Sequence, residues 1–178
     1  MKVEQLIDKV LLYLVWLQTP NENFGNIPVC PFIKADLDNE EILFLTQTKK
    51  DEFIDLVKKW DESGKKTGLI IQMNMPQYGD KRRKYQILLN KKIEEVWERG
   101  PEQPKVLVFD PTEQWSLAGV ETRKRAPTLL INIARRKDLS EAHSTLQKTK
   151  WYDKLSDEDL KLLIMEPKDE QTIPSTDS

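Results

Sequence analysis

The chain has few of the residues that build metal centres, disulfides or membrane spans. Its 178 residues include one cysteine and one histidine, which excludes an internal disulfide and a His/Cys metal cluster. The apolar stretch from Val10 to Leu17 is too short to span a bilayer, and Met1 to Lys9 mixes acids and bases, unlike a secretory signal. A lone thiol is consistent with a reducing compartment. These features predict a cytoplasmic protein without a membrane segment.

An excess of charge of one sign is also lacking. The chain has 28 basic and 30 acidic residues, a net charge of −2. Nucleic-acid-binding domains usually carry a basic excess, so the overall balance disfavours that partner. The exception is a run of bases between Lys81 and Lys92. A solvated helix face is the preferred interpretation of this run, and phosphate binding by it is a weak alternative.

The apolar pattern predicts an α/β domain. A helix is expected from Lys2 to Gln18, apolar nearly all round from Val10 onwards, as in a helix that is buried or covered by a partner. Four apolar runs predict strands that alternate with amphipathic helices: Ile42–Leu45, Leu69–Met73, Val106–Phe109 and Thr128–Ile133. The last of these runs is also compatible with a helix. Strands separated by single helices indicate βαβ units. We therefore expect one domain over residues 1–165, with a parallel or mixed sheet of about four strands and helices packed on it, followed by a disordered polar tail at 166–178.

The orientation of the fourth strand stays open at this stage. Ligands of open α/β sheets bind beyond the carboxyl ends of the strands. A parallel fourth strand places Arg135 there beside Asp110, whereas an antiparallel one places Arg125 there. Because an arginine fork matches carboxylate or phosphate, we expect an anionic small molecule to be bound at this rim by Arg125 or Arg135. Trp115, in an irregular segment near the rim, is a further candidate contact.

The segment around the only cysteine is the second candidate feature. Pro28 and Pro31 restrict the backbone beside Cys30, so the thiol is expected in a stiff connector. Lys34 is close enough in sequence to lower the pKa of the thiol. Cys30 is thus a candidate nucleophile at the pocket, although burial as a small hydrophobe is the commoner fate of a free cysteine.

Asp110 is the candidate acid or base of the same site. A carboxylate after a buried strand can act in proton transfer if burial raises its pKa. An Asx turn with Pro111 is the preferred alternative. No Gly-rich phosphate loop, Ser-His-Asp order or metalloprotease motif is present, so the sequence points to no metal and leaves the cofactor and the reaction unknown.

Three short motifs, taken in order, resemble an uncharacterised bacterial family of small soluble proteins that is classed as a domain of unknown function. They are Cys30-Pro31-Phe32 after the first helix, then Arg125-Ala126-Pro127, then Ile133-Ala134-Arg135 with Asp138, Leu139 and Ala142 at matching spacing. The family has Cys-Pro-Phe, Arg-x-Pro and Ile-x-Arg-x-x-Asp-Val-x-x-Ala at these places. It has Phe-His-Pro where this chain has Phe109-Asp110-Pro111, so any chemistry of that histidine is in doubt. The resemblance covers most of residues 3–145, implies the same architecture and nominates Cys30, Arg125 and Arg135.

The first helix supports a function from a different class. If its apolar surface is not covered within the domain, the protein is expected to be an interaction module rather than an enzyme. Docking of a partner, or of a second copy to form a homodimer, would then use Leu12, Val15 and Trp16.

Overall fold

A computed structural model of the chain describes residues 3–22, 26–28, 30, 33–73, 78, 81–111, 116–117, 120–121 and 126–148. These residues form five helices and eight strands. In chain order they are α1 Val3–Gln18, β1 Pro20–Asn21, β2 Ile27–Pro28, α2 Ile33–Asp38, β3 Ile42–Gln47, α3 Phe53–Ser63, β4 Thr67–Gln72, α4 Arg82–Glu94, β5 Pro104–Phe109, β6 Ser116–Leu117, β7 Val120–Glu121, β8 Leu130–Arg135 and α5 Arg136–Gln147. The sequence also predicts a short helix over Leu160–Met165, and this segment and the tail at 166–178 lie outside the described residues.

The four predicted strands form one mixed sheet in the order β3-β4-β8-β5. β3 and β4 are parallel, and β8 is antiparallel to both of its neighbours. The predicted α/β class is confirmed, and the open orientation resolves as antiparallel. The connection between Phe109 and Leu130 is long enough for either direction, so its length does not decide the orientation. Between β5 and β8 the described residues form only the β6–β7 hairpin.

Helices cover both faces of the sheet because strand side chains alternate between the faces. α1, α2 and α5 pack on one face, and α3 and α4 pack on the other. The first core contains Leu14, Leu69, Ile71, Leu130 and Leu146. The second contains Val57, Trp60, Ile70, Leu89, Ile131 and Ile133. The sheet is therefore the shared middle layer of a single α/β domain.

The connector between α1 and β3 differs from the prediction. The sequence predicts a polar turn from Asp36 to Glu41, whereas Ile33–Asp38 is a short helix. Its six residues are too few for a helical period to stand out. Ile33 and Leu37, four residues apart, pack against the α1 core. Asp36 is buried and its Oδ2 accepts a hydrogen bond from Thr67 Oγ1 at 2.7 Å.

Side chains of α4 satisfy the outer backbone of β5, which is the last strand on its side of the sheet. Asn90 Nδ2 donates to Val106 O at 3.1 Å, and Asn90 Oδ1 accepts from Val106 N at 3.0 Å. Gln86 Oε1 accepts from Val108 N at 2.9 Å, and Arg82 Nη1 donates to Val108 O at 3.0 Å. These three residues, spaced by four along the helix, take the place of a neighbouring strand. We call Arg82, Gln86 and Asn90 the edge cap.

Candidate functional site

Three strands end in a buried polar residue at the same rim of the sheet. β3, β4 and β5 run in one direction, and we call their common end the carboxyl rim. Gln47 ends β3, Gln72 ends β4 and Asp110 directly follows β5. All three are buried, and each continues the alternation of strand residues that face α3 and α4. The sheet thus presents two amides and a carboxylate beneath the start of α4.

The two amides are linked in a chain of hydrogen bonds. Gln47 Nε2 donates to Asp51 O at 3.3 Å, which leaves its Oε1 to accept from Gln72 Nε2 at 2.7 Å. Gln72 Nε2 also donates to the hydroxyl of Tyr85 at 2.9 Å. This order fixes the orientation of the Gln72 amide. Its Oε1 has no hydrogen-bond partner within the described part of the chain, although the residue is only 1% exposed.

Two stacked tyrosines complete the cluster. The rings of Tyr78 and Tyr85 lie 4.0 Å apart and are nearly parallel, with 9° between their planes. The carboxylate of Asp110 accepts a hydrogen bond from Tyr78 N at 2.6 Å and so fixes this residue at the rim. Burial raises the pKa of Tyr85, the hydrogen bond from Gln72 opposes the rise, and Tyr78 adds to it. Tyr85 therefore keeps its hydroxyl proton at neutral pH.

Together these residues form what we call the rim cluster: Gln47, Gln72, Tyr78, Tyr85 and Asp110. It offers amide and hydroxyl groups for hydrogen bonding next to a flat aromatic pair. A buried acceptor without a donor costs about 1–3 kcal/mol. A bound molecule with an N–H or O–H at Gln72 Oε1 would remove that cost.

Cys30 lies on the other face of the sheet from the rim cluster. It is partly buried against the α1 core, and its backbone N–H donates to Leu17 O at 2.7 Å. Burial raises the pKa of Tyr13 to about 12, and the neighbouring Cys30 contributes to the rise. Lys34 is exposed on α2, where its Nζ forms an ion pair with Asp38 at 2.6 Å. The structure therefore does not bring Cys30 together with Asp110.

Arg135 lies at the opposite end of the sheet because β8 is antiparallel. Its Nη2 meets Asp61 Oδ1 at 3.1 Å, and its Nε meets Glu102 Oε2 at 3.3 Å. Its Nη1 donates to Lys65 O at 3.2 Å, and its Cζ lies 4.7 Å from the Trp60 ring centroid. A guanidinium with these contacts is fully used within the domain. It does not reach the carboxyl rim.

Of the six sequence-predicted site residues, Asp110 is the one that the structure places at the rim cluster. Trp115 and Arg125 lie outside the described residues, so their roles stay predictions. Gln72 and Tyr85 were missed. Two signals in the sequence could have identified them. One is the polar residue at the end of an apolar strand, at a position whose side chain faces the core, and the other is a tyrosine on the inner side of the next helix.

The exposed surface of α1 is apolar from Leu11 onwards, as the second hypothesis requires, whereas its first half exposes Glu4, Gln5, Asp8 and Lys9. Leu12 is 65% exposed and Val15 is 49% exposed, while Trp16 is half-buried and stacks on Tyr13. The buried side of the helix is formed by Leu6, Val10, Tyr13, Leu14 and Leu17. An apolar strip of this kind marks an interaction surface more often than an isolated exposed leucine does.

No group of three or more metal-binding side chains occurs among the described residues. Over the same ranges, no helix has the length and apolarity that crossing a bilayer requires. No protein-family model, curated protein or solved structure matches the chain.

Proposed function

We propose that this protein binds a small anionic molecule at the carboxyl rim, and that an N–H or O–H of this molecule donates to Gln72 Oε1. The observation that carries the proposal is the buried Gln72 oxygen without a donor in the described part of the chain. It belongs to a cluster at the sheet end where α/β proteins bind their ligands. A reaction is not part of the proposal.

The anionic character follows from the start of α4. Its first turn carries no acid, and Lys81, Arg83 and Lys84 are exposed there. A helix N-terminus has a partial positive charge, so these cations add to a field that attracts an anion. This turn begins directly beside the cluster, because Lys81 N donates to Tyr78 O at 2.9 Å. Arg125 remains a predicted further contact.

Native mass spectrometry of the purified protein, followed by thermal-shift screening, tests this proposal. The screen compares small carboxylates and phosphates that carry an N–H or O–H with anions that lack a donor and with neutral analogues. We expect donor-bearing anions to raise the melting temperature. Binding of the donor-free anions with equal affinity would contradict the assigned role of Gln72.

A matched pair of glutamine variants locates the site. Gln72→Met removes the unpaired oxygen and is expected to weaken binding at least tenfold, which corresponds to about 1.4 kcal/mol. Gln103→Met alters another buried glutamine, at the opposite end of β5, and is expected to leave affinity unchanged. Tyr85→Phe gives a second test at the cluster. Equal affinities in all three variants would overturn the rim as the binding site.

The second candidate function is self-association through α1, which is favoured by the exposure of Leu12 and Val15. From Val10 to Gln18 the helix carries no charge, so two copies can meet along this strip without charge repulsion. Sedimentation velocity of a Leu12→Glu/Val15→Glu variant tests it. The proposal predicts a dimer for the native chain and a monomer for the variant, and a native monomer would contradict it.

A further inference from the structure

The outer side of β3 is a free sheet edge. β3 is the last strand on its side of the sheet and pairs only with β4 among the described strands. Thr67 N donates to Glu41 O and Met73 N donates to Gln47 O, so the odd-numbered residues of this segment face β4. The alternation of a strand then directs the N–H and C=O groups of Phe44 and Thr46 away from the sheet.

This edge lacks the features that usually protect edge strands. Proteins block such edges with charged side chains, proline, bulges or a covering element. The six residues Ile42–Gln47 contain no charge and no proline. Their pairing with β4 is continuous from Ile42 to Gln47, without a bulge. On β5, side chains of α4 form hydrogen bonds with the outer backbone groups. Within the part of the chain that the structure describes, no helix side chain forms such a bond with the backbone of Phe44 or Thr46.

The charged residues on either side of β3 have opposite signs, so they match those of an antiparallel copy of the same segment. Glu40 and Glu41 precede the strand, and Lys49 and Lys50 follow it. Within the described ranges none of these four side chains takes part in an ion pair. An antiparallel copy of the same segment reverses this order, so its lysines meet the glutamates of the first.

We propose that a second copy of this chain pairs with β3 in an antiparallel manner about a two-fold axis at Leu45. Phe44 then lies opposite Thr46 of the second copy, and each such pair exchanges two backbone hydrogen bonds. The same axis brings the Glu40–Glu41 segment of each copy towards Lys49 and Lys50 of the other. The two four-stranded sheets become one continuous sheet with the same helix layers on each face. This interface is distinct from the α1 strip, and it does not depend on ligand binding at the carboxyl rim.

Sedimentation velocity of the full chain tests the proposal at low and high salt. We expect a dimer whose dissociation constant rises with salt, because the flanking ion pairs are screened. Thr46→Pro removes an N–H that faces away from β4 and is expected to yield a folded monomer. Thr46→Val keeps that N–H and is the matched control that stays dimeric. Circular dichroism verifies that both variants are folded.

A charge swap provides the sharper test. Lys49→Glu/Lys50→Glu and Glu40→Lys/Glu41→Lys each create repulsion between identical copies, so each variant alone is expected to dissociate at least tenfold more readily. Mixed together, the two variants restore both sets of opposite charges and are expected to form a heterodimer. A monomeric native chain overturns the proposal. So does a dimer that survives Thr46→Pro and the charge reversals but dissociates in Leu12→Glu/Val15→Glu, since that dimer would be formed by α1.

Discussion

The two outer strands of the sheet differ in the hydrogen bonding of their outer backbone groups. On β5, the edge cap of Arg82, Gln86 and Asn90 supplies donors and acceptors to the backbone of Val106 and Val108. On β3, the backbone groups of Phe44 and Thr46 receive no such cover in the described part of the chain. Both strands consist of six residues, but β5 carries Pro104 and Lys105 whereas β3 has neither a proline nor a charge, so strand composition adds to the difference.

Among the described residues, helix side chains thus close the β5 side of the sheet but not the β3 side. When three inward-facing side chains of a helix form hydrogen bonds with an edge strand, no further strand can be added at that edge. The residues that follow β3 instead lead into a turn, where Asp51 Oδ2 accepts from Thr48 N and Oγ1, both at 2.7 Å. Of the four predictions that follow, the first tests this asymmetry directly, and the other three compare it with smaller effects elsewhere in the sheet.

Asn90→Ala is expected to break the closed edge. It removes the partners of Val106 N and Val106 O, and each polar group left unpaired costs about 1–3 kcal/mol. Urea unfolding measures the loss of stability, and light scattering measures any association through the newly opened strand. Ile87→Ala, on the exposed side of the same helix, is the control, with a change within about 0.5 kcal/mol. Equal stabilities of the two variants would show that the edge cap is dispensable.

Gly68→Ala is expected to lower the free energy of unfolding by overpacking an interior strand. The size of this loss provides a reference for the effects at the edges. A Cβ at this position of β4 would lie 2.7 Å from Trp60 Cδ1 and 3.1 Å from Ile133 Cδ1. Trp60 is fully buried, so it cannot move aside freely. Overpacking of this kind costs about 1–3 kcal/mol. At Gly100 an added Cβ meets nothing within 4 Å, and Gly100→Ala should leave the melting temperature nearly unchanged.

Two buried glutamines extend the comparison to the two ends of the sheet. Gln103 precedes β5, donates to Trp97 O at 3.1 Å and accepts from Arg136 Nε at 2.6 Å, so both ends of its amide are paired. Gln72 Oε1, in contrast, has no hydrogen-bond partner among the described residues. We therefore expect Gln103→Met to cost about 1–2 kcal/mol and Gln72→Met less, because the latter also removes an unsatisfied acceptor. Denaturant midpoints measured without ligand decide this, and the reverse order would contradict it.

The smallest expected effect concerns His143, which lies on α5 at the other face of the sheet from α4. Burial lowers the pKa of this histidine below its usual 6.5, and the charge of Lys105 on β5 lowers it further. The unfolded chain then binds a proton that the folded chain rejects, so stability is complete above pH 6.5 and falls as the pH drops through the lowered value. Lys105→Gln should raise the pKa of His143 in an NMR titration. His143→Gln should flatten the pH dependence in this window, since the chain has no other histidine.

Much of the architecture could be predicted from local pattern. The four sheet strands are confirmed, because each is a short apolar run, and the helices α1, α3, α4 and α5 are confirmed, because their apolar residues keep helical spacing. The end of α3 is confirmed as well, since Gly64 adopts a φ of 70° at the C-cap, as expected for the residue after Ser63. The short helix α2 was missed, because six residues are too few to show a period.

The candidate site was less accessible to sequence reasoning. Asp110 was placed correctly at the carboxyl rim, but its partners Gln72 and Tyr85 resemble ordinary strand and helix residues when each is taken alone. Arg135 was a reasonable anion ligand until the direction of β8 was known. Cys30 packs on the face of the sheet opposite the rim cluster. No pattern in the sequence around it reveals this position.

The sequence by itself determined the layered α/β class, because apolar residues at periods of two and about 3.6 can bury their side chains only as strands and helices. The tertiary structure alone decided that β8 runs antiparallel, which sends Arg135 to one end of the sheet and leaves Gln72 and Asp110 at the other. It also decided that α4 covers the edge of β5 while no described element covers the edge of β3. Such choices depend on contacts between residues far apart in the chain, and local periodicity carries no information about them.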